Sequence, residues 1–412
     1  MLLPSESLTC YRQSVNETLT VGDVVDVTTE RLAYGGEAIA RHQGLAIFVP
    51  LAAPGERLRV RITERKKQFA RAVIDRVIEP SSSRREAACK YFGECGGCQL
   101  QHLTYEAQLE AKTAFVRDAL ERIGRIDWPP EIKIRHASEF GYRTRAQVKI
   151  DAKTKRIGFH RAASNAVCDV ESCPILAPEL DQALRTLRDV VSSGFDSSDQ
   201  PSRYSNVEIA AGESGVAFDP AIEGLPGDAL RLVVNNEAYN FTPSTFFQSN
   251  AGLLDVLVNE AIGDESGQLA IDLYAGVGLF TLPLARRFDR VIGVEGDTRT
   301  AECAKKNIKQ AGLTNVDFHN SNAERWLKSS SQNLNGRPDL VVLDPPRAGA
   351  ADVVSHIAAL KPARINYVSC DPTTLARDLR ALADNGYNLS ELTAIDMFPQ
   401  TYHVEAVAKL NR

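Results

Sequence analysis

The stretch LAIDLYAGVG at residues 269–278 has the pattern of a buried strand that ends in a glycine-rich turn. Four more strand-like runs follow, separated by helical stretches. The runs are RVIGVE (290–295), NVDFHN (315–320), LVVLDPP (340–346) and INYVSC (365–370), and the helical stretches are 251–262, 279–287, 298–311, 350–360 and 373–385. This alternation predicts an α/β fold, with a Rossmann-like parallel sheet covered by helices on both faces. Ligands of such sheets bind beyond the carboxyl ends of the strands, so the residues there form the candidate site.

The turn after the first strand suits a nucleoside ligand without phosphates. Gly276 and Gly278 let a ligand approach backbone N–H groups, and Tyr274 can cover an adenosine. Glu295 ends the second strand, where a carboxylate can accept hydrogen bonds from both ribose hydroxyls. The third glycine of the dinucleotide motif is missing after Gly278, which argues against a pyrophosphate. The pattern therefore favours S-adenosylmethionine as the cofactor, and a bare structural turn is the alternative.

Three polar side chains fall in or at the ends of other strands. Asp344 follows the fourth strand, Cys370 ends the fifth, and Glu405 lies in the last strand, QTYHVEAVAKL. The alternatives are an ordinary strand end, a core cysteine and a solvent-facing glutamate. A helix is expected to begin directly after Cys370, and the N-terminus of a helix should lower the pKa of the thiol. We therefore interpret Cys370 as a nucleophile.

A thiol, a carboxylate and a methyl sulfonium at one sheet edge suit the methylation of uracil C5, a carbon too weakly nucleophilic to react directly. Attack of the Cys370 thiolate on C6 would make C5 electron-rich, and Glu405 would then remove the C5 proton. Amino-group DNA methyltransferases have an aromatic residue after a related Asp-Pro-Pro. Here Arg347 takes that place, so the clamp for a flipped adenine is absent.

Four cysteines form a second candidate site. They are Cys89, Cys95, Cys98 and Cys173. In a chain without an export signal, such a cluster indicates a metal centre or catalysis more than a disulfide framework. An iron–sulfur cluster, a four-cysteine zinc site and a redox Cys-x-x-Cys pair are the alternatives. Cys168 competes with Cys173 for the fourth position, and Cys303 is expected in a helix as part of the core.

The residues before 241 divide into two further regions. Val/Ile alternation interrupted by glycines predicts a small antiparallel barrel at residues 15–79. Residues 84–240 contain the cysteine cluster and are expected to form mixed strands and helices. The predicted helices are at 105–123 and near 178–193, and a polar loop is predicted at 195–202.

Two basic stretches stand out against the overall net charge of −5. One runs from Arg61 to Arg71, and the other, from Lys133 to Arg161, has nine Lys or Arg against two acidic residues. They are either solvated strand faces or surfaces for a polyanion. The net negative charge argues against a protein that coats nucleic acid indiscriminately.

The composition of the 412 residues, 43% hydrophobic and 25% charged, is that of a globular protein. The longest nearly apolar run, 45–54, is too short to span a bilayer, and the first residues lack the features of a secretory signal. We expect a cytoplasmic monomer without membrane association.

With these motifs assembled, the chain resembles the bacterial RNA uracil-C5 methyltransferases, most closely the iron–sulfur enzymes that modify 23S rRNA. FTPSTFFQSN (241–250), DLYAGVG, VIGVEG, LDPPRAG, VSCDP and HVEAV occur in the order of the family, and the resemblance covers nearly the whole chain. It implies a TRAM-type barrel of the oligonucleotide-binding class at 15–79, an iron–sulfur domain with an RNA-facing basic segment at 84–240, and a class I methyltransferase domain at 241–412.

The resemblance also implies a role for each motif residue. The cofactor-binding residues are Gln248, Tyr274, Gly276, Glu295, Asn322 and Asp344. Cys370 is the nucleophile and Glu405 the base. Cys89, Cys95, Cys98 and Cys173 hold a [4Fe–4S] cluster, with zinc as the alternative. The expected partner is RNA, with rRNA favoured over tRNA.

Two other functions compete with this interpretation. One is the same chemistry on the tRNA T-loop; the barrel and the cysteine cluster argue against it, because the tRNA enzymes usually lack them. The other is a non-catalytic RNA-binding assembly factor that retains the fold. The presence of both Cys370 and Glu405 argues against that function.

Overall fold

The computed structural model describes residues 19–151, 153–192, 205–227, 229–329, 334 and 336–412. The chain forms two compact units: one comprises residues up to Leu32 with Glu37–Ser82, the other Ala33–Gly36 with Ser83–Arg412. The predicted start of the barrel, residues 15–18, and the predicted loop at 195–202 lie outside the described residues. The predicted boundary near residue 241 falls inside the second unit and stays a prediction.

The first unit is a closed five-stranded barrel, as predicted. Its strands are β1 (Val24–Leu32), β2 (Ala38–His42), β3 (Leu45–Val49), β4 (Arg57–Arg65) and β5 (Phe69–Glu79), in the order β1-β2-β3-β5-β4. In β4, Leu58, Val60 and Ile62 are buried while the side chains between them are exposed, which is the period-2 pattern of a strand with one buried face. The pairing of β3 with β5 is parallel, contrary to the predicted antiparallel barrel. Five strands of alternating direction close into a barrel only if one pair is parallel.

The second unit begins with the central region. Its elements are α1 (Tyr105–Ala119), β6 (Lys133–Arg135), β7 (Arg145–Asp151), β8 (Arg156–His160), β9 (Val167–Asp169), α2 (Pro178–Ser192), β10 (Asn206–Gly212), β11 (Gly215–Asp219), β12 (Leu230–Val234) and β13 (Glu237–Phe241). A π-helical turn at Leu120–Gly124 follows α1, so the two together cover the predicted helix at 105–123. Five strands form an antiparallel sheet in the order β11-β10-β7-β8-β9, and β12 pairs with β13.

The remaining elements form the α/β region. They are α3 (Leu254–Ile262), β14 (Gly267–Leu273), α4 (Thr281–Ala285), β15 (Phe288–Glu295), α5 (Thr298–Gln310), β16 (Val316–Asn320), α6 (Ala323–Ser329), β17 (Leu340–Leu343), α7 (Ala351–Ala359), β18 (Arg364–Ser369), α8 (Pro372–Asp384), β19 (Asn388–Ile395) and β20 (Glu405–Asn411). Each predicted strand and helix of this region has a counterpart in the structure. No described helix has both the length and the apolar character that a bilayer crossing requires.

The main sheet has eight strands in the order β16-β15-β14-β17-β18-β20-β19-β6. The five predicted strands run parallel, as expected, and β20, for which the sequence predicted no direction, is antiparallel to both of its neighbours. Residues 396–404 between β19 and β20 are too few for the crossover that a parallel pair requires. The reversal places Glu405, the first residue of β20, at the edge where β18 ends, because Ala406 pairs with Ser369.

A buried ion pair fixes the 396–404 link that leads into β20. Lys112 on α1 and Asp396 are both inaccessible to solvent and form a salt bridge. Lys112 Nζ also donates to the carbonyl oxygen of Phe398 (2.9 Å), and the Tyr105 hydroxyl donates to Asp396 (2.9 Å). Burial lowers the pKa of Lys112, whereas the charge of Asp396 opposes that shift.

Asp396→Asn is expected to lower the free energy of unfolding by about 3–5 kcal/mol, because Lys112 would stay buried without its counter-charge. Urea denaturation followed by circular dichroism measures the loss. Asp384→Asn is the control, since Asp384 forms an exposed ion pair with Arg380 on α8 and should contribute little. Equal losses of unfolding free energy in the two variants would show that the buried Lys112–Asp396 pair contributes no more to stability than the exposed pair.

Candidate functional site

One cavity of about 790 Å³ lies at the carboxyl edge of the parallel strands. Every residue to which the sequence assigned a cofactor-binding or catalytic role lines it. These residues are Gln248, Tyr274, Gly276, Glu295, Asn322, Asp344, Cys370 and Glu405. The structure therefore brings the predicted site residues together, while the role of each stays a prediction.

The backbone after β14 has the conformation that a tight, glycine-rich turn requires. Gly276 and Gly278 have positive φ angles of 58° and 97°, and Tyr274 has a φ of 61°. A Cβ atom at Gly278 would also lie 2.9 Å from Leu282 Cδ1. The Glu295 carboxylate accepts hydrogen bonds from the backbone N–H groups of Gly276 (2.9 Å) and Asp297 (2.8 Å). These bonds fix a carboxylate at the end of β15 on the cavity wall.

Two acidic residues of the neighbouring strands have raised pKa values. Burial raises the pKa of Asp344, which follows β17, to about 7, although Gln248 Nε2 donates a hydrogen bond to its carboxylate at 3.1 Å. Asp272 in β14 is fully buried, and burial likewise raises its pKa to about 7. The Thr281 hydroxyl donates a hydrogen bond to Asp272 and opposes the shift.

The environment of Cys370 contradicts the prediction of a lowered thiol pKa. Burial raises the pKa of Cys370 to about 12, and the nearby carboxyl groups of Glu405 and Asp344 add to the increase. The N-terminus of α8 does not offset this effect. Asp371 already accepts hydrogen bonds from the N–H groups of Thr373 (2.8 Å) and Thr374 (3.1 Å), so the first amides of α8 bind a carboxylate rather than the thiol.

Glu405 is almost fully buried beside the thiol, with 2% of its surface exposed. Its Oε1 atom has no hydrogen-bond partner among the described residues. Burial, together with the charge of Asp344, raises the pKa of Glu405 well above its ordinary value, so this environment favours the protonated carboxyl group. A buried oxygen without a partner on a cavity wall is suited to contact a bound ligand.

Arg347 is a site residue that the sequence reasoning missed. The charge of its guanidinium lowers the pKa of both Cys370 and Glu405, against the larger effect of burial. Its Nη2 lies 3.2 Å from His403 Nε2, and burial lowers the pKa of His403 to about 4, so a neutral imidazole accepts from the guanidinium. The signal was present in the sequence, because Arg347 directly follows Asp-Pro-Pro, but it was interpreted only as a missing aromatic residue.

Asn322 lines the cavity, but its side chain is already engaged. Its Oδ1 accepts hydrogen bonds from the N–H groups of Glu324 (2.9 Å) and Arg325 (3.3 Å) at the start of α6. The predicted contact with the cofactor would therefore use the amide nitrogen of Asn322 or its backbone.

The four cysteines of the predicted metal centre line a second cavity, of about 470 Å³. Gly97 N–H donates to the sulfur of Cys95 (3.5 Å), which closes the loop between them. Burial raises the pKa of Cys98 to about 12 and that of Cys173 to about 11, and neighbouring thiols add to both increases. The part of the chain that the structure describes has no group of three or more His, Cys, Asp or Glu side chains gathered tightly enough to hold a metal ion.

The other two predicted cysteines lie elsewhere. Cys168 does not line the second cavity; it is buried, and its thiol donates to Glu94 Oε1 at 3.5 Å. Cys303 on α5 packs against the hydrophobic core, as expected. Cys173 is therefore the better candidate for the fourth position of the cluster.

Comparison with known proteins gives matches over nearly the whole chain. The family model described as tRNA (Uracil-5-)-methyltransferase matches residues 227–412, and the TRAM domain model matches residues 18–74. The 23S rRNA (uracil(1939)-C(5))-methyltransferase RlmD of Salmonella typhi is 34% identical, over 97% of this chain and 99% of that protein. An uncharacterized RNA methyltransferase of Aquifex aeolicus is 35% identical, over 93% of this chain and 97% of that protein.

A solved structure also resembles the chain along most of its length. The tRNA (uracil-54, C5)-methyltransferase of Pyrococcus abyssi, crystallised with S-adenosyl-L-homocysteine, superposes with a TM-score of 0.71 at 26% identity. The match covers 94% of this chain and 100% of that chain.

Glu405→Gln should speed the alkylation of Cys370 by iodoacetamide at alkaline pH, and Arg347→Gln should slow it, each several-fold. Removing the carboxylate lowers the pKa of the thiol and removing the guanidinium raises it, and the thiolate is the form that reacts. In the unchanged protein the rate should rise about tenfold per pH unit until the pH approaches 12.

Mass spectrometry of the peptide that contains Cys370 measures this rate, and the rate at Cys303 in the same sample is the internal control. A change in the same direction in both variants would contradict the assigned electrostatics.

Proposed function

The chain belongs to the family of RNA uracil-C5 methyltransferases that use S-adenosylmethionine, and on this basis we propose that it methylates C5 of a specific uridine in 23S rRNA. The observation that carries the proposal is the meeting of Cys370, Glu405 and Arg347 with the predicted cofactor residues in one cavity. A nucleophile, a base and a cation beside a nucleoside-binding turn are the groups that this reaction requires.

The relatives favour rRNA over tRNA as the substrate. The Salmonella typhi enzyme, named for 23S rRNA, is 34% identical along almost its full length. The Pyrococcus abyssi enzyme, named for tRNA, is 26% identical. The tRNA T-loop remains the second candidate, and an assay with both RNAs decides between them.

The nucleophile acts first in the proposed mechanism. Cys370 reacts as the thiolate, which Arg347 stabilises, and its sulfur bonds to uracil C6. The electrons of the C5–C6 double bond then make C5 nucleophilic. S-adenosylmethionine, when bound, supplies a methyl group activated by a positively charged sulfur. The thiol pKa of about 12 means that Cys370 is protonated in the free protein, so formation of the complex must favour the thiolate.

Glu405 completes the reaction as the general base. Its carboxylate removes the proton from the methylated C5, the C6–sulfur bond breaks, and the double bond and the Cys370 thiolate are restored. This step requires Glu405 in its ionised form, which the burial of its carboxyl group disfavours. A cationic ligand in the cavity would lower that pKa and prepare the base.

Access to C6 requires an unpaired uridine or one rotated out of a duplex, because stacked neighbours cover the ring atoms. The barrel and the basic segment of residues 133–161 are the proposed RNA-binding surfaces. In this role they hold the backbone and do not read the bases.

We further propose that Cys89, Cys95, Cys98 and Cys173 hold a [4Fe–4S] cluster. Their placement around one cavity supports this proposal, as does their chemistry, since buried thiols with raised pKa values ionise when a metal replaces their protons. Zinc is the alternative for four cysteines. Methyl transfer involves no redox change, so the proposed role of the cluster is structural or one of RNA positioning.

Cys370→Ala should abolish methyl transfer to 23S rRNA and the covalent adduct with RNA that contains 5-fluorouridine, because no thiolate can attack C6. Glu405→Gln should slow release of product by about 100-fold or more and should accumulate a methylated covalent adduct with ordinary uridine. Gel mobility of denatured protein–RNA complexes and mass spectrometry measure these outcomes.

Unmodified tRNA serves as the comparison substrate in the same assay. Methylation of tRNA alone would replace the rRNA assignment, and an adduct formed by Cys370→Ala would refute the assignment of the nucleophile.

Protein purified without oxygen should contain about four iron atoms per chain. Cys173→Ser should lose most of this iron, whereas Cys168→Ser, which changes a thiol bonded to Glu94 outside the cavity, should retain it. Elemental analysis measures both iron and zinc. If zinc is found in place of iron, the site is the alternative four-cysteine zinc site. If only Cys168→Ser loses iron, the fourth ligand is Cys168 and not Cys173.

A further inference from the structure

The outward face of β7 connects the catalytic cavity with the cysteine cavity. Alternate residues of a strand point to the same side, and in β7 these are Arg145, Gln147 and Lys149. Together with Arg143, which lies two residues before the strand begins, they form what we call the β7 strip. Arg143 and Gln147 line both cavities, Arg145 lines the catalytic cavity, and Lys149 lines the cysteine cavity. The strip is therefore a polar path from one cavity to the other.

Arg145 is a half-buried cation without a carboxylate partner. Its Nη2 donates to the carbonyl oxygen of Pro243 at 2.7 Å, but its buried Nη1 has no hydrogen-bond partner among the described residues. Burial lowers the pKa of Arg145 to about 10, and the carboxylate of Glu208 offsets only part of this shift. A cation held away from water and left unpaired is costly, and an anionic ligand would remove the cost.

The other cations of the β7 strip also contact neutral atoms. Arg143 Nε donates to the carbonyl oxygen of Arg145 (2.8 Å), and Lys149 Nζ donates to Asn206 Oδ1 (2.5 Å) and to Gln147. No ion pair within the described ranges includes any of the three cations. Neighbouring arginines differ in this respect, since Arg161 pairs with Glu94 at 2.8 Å and Arg188 with Asp169 at 2.6 Å.

We propose that Arg145 binds a phosphodiester of the RNA strand that carries the target uridine, and that Arg143 and Lys149 continue this backbone path towards the cysteine cavity. The proposal rests on the proposed function, which it deepens by assigning a route to the RNA strand. Guanidinium groups bind phosphate oxygens through paired, charge-assisted hydrogen bonds, and the free Nη1 of Arg145 is available for such a contact.

The carboxylate of the cofactor is the other anion that could occupy this place. The β7 strip has three cations, which is more than a single carboxylate requires. Two of them, Arg143 and Lys149, line the cavity of the cysteines. A polyanion can pair with all three cations of the β7 strip. Both the RNA phosphodiester and the cofactor carboxylate present an oxyanion to Arg145. Measuring RNA binding and cofactor binding independently distinguishes between them.

The test is the salt dependence of binding to an unmodified 23S rRNA transcript. For Arg145→Gln, the dissociation constant should rise roughly 10- to 100-fold, and the slope of log affinity against log salt concentration should decrease by about 0.7, the value for one phosphate contact on a single strand. Arg145→Lys keeps the charge but not the paired geometry, so it should lose affinity and retain the slope. Arg380→Gln is the control, because Arg380 pairs with Asp384 on exposed α8.

Calorimetric titration with S-adenosylmethionine provides the second readout, and the affinity of Arg145→Gln for it should equal that of the unchanged protein. If Arg145→Gln binds the cofactor more weakly but has an unchanged salt dependence of RNA binding, the proposal is overturned and Arg145 is assigned to the carboxylate of the cofactor. If Arg145→Gln does not fold, Arg143→Gln should show the same decrease in the slope of log RNA affinity against log salt concentration. Should the unchanged protein fail to methylate the transcript while the slope still depends on Arg145, the proposed function fails and the phosphate site stands.

Discussion

The burial of acidic groups beside the guanidinium of Arg347 is the constraint on which the catalytic cavity depends. Cys370, Glu405 and Asp344 all lie where burial disfavours their charged forms, and Arg347 is the cation that lowers the pKa of the first two. Burial therefore favours the protonated forms of the Cys370 thiol and of the Glu405 carboxyl group. A nearby positive charge such as the guanidinium of Arg347 shifts both groups towards their ionised forms.

The sequence was sufficient to predict most strands and helices of the α/β region, because the predicted strands are apolar runs separated by helical stretches. It also predicted the candidate residues, because in such a sheet the chemistry lies where strands end. It did not predict α6 or β19. The antiparallel direction of β20 was not predicted, since strand direction depends on the length and path of the link before it. The parallel pair of the barrel depends on closure, which is a property of the whole set of strands.

The error on the thiol of Cys370 has a different origin. The helix after it was predicted correctly, but the effect of a helix N-terminus depends on which group its amides bind, and Asp371 takes them. Burial cannot be derived from local sequence either, because the carboxyl groups near the sulfur come from β20 and from the turn after β17. Arg347 was missed as a site residue for the same reason. Its importance lies in its effect on the pKa values of Cys370 and Glu405, and that proximity is a property of the folded chain.

The place of β20 in the sheet also matters for the order in which the polypeptide assembles. β18 and β19 precede it in the chain, yet each pairs with β20 and not with the other. Until residues 405–411 have left the ribosome, both strands present unpaired edges at the middle of the future sheet, and such edges invite pairing with other chains. The strand that begins with Glu405 thus also pairs with both of these edges, and translation that stops short of it would yield an aggregation-prone product.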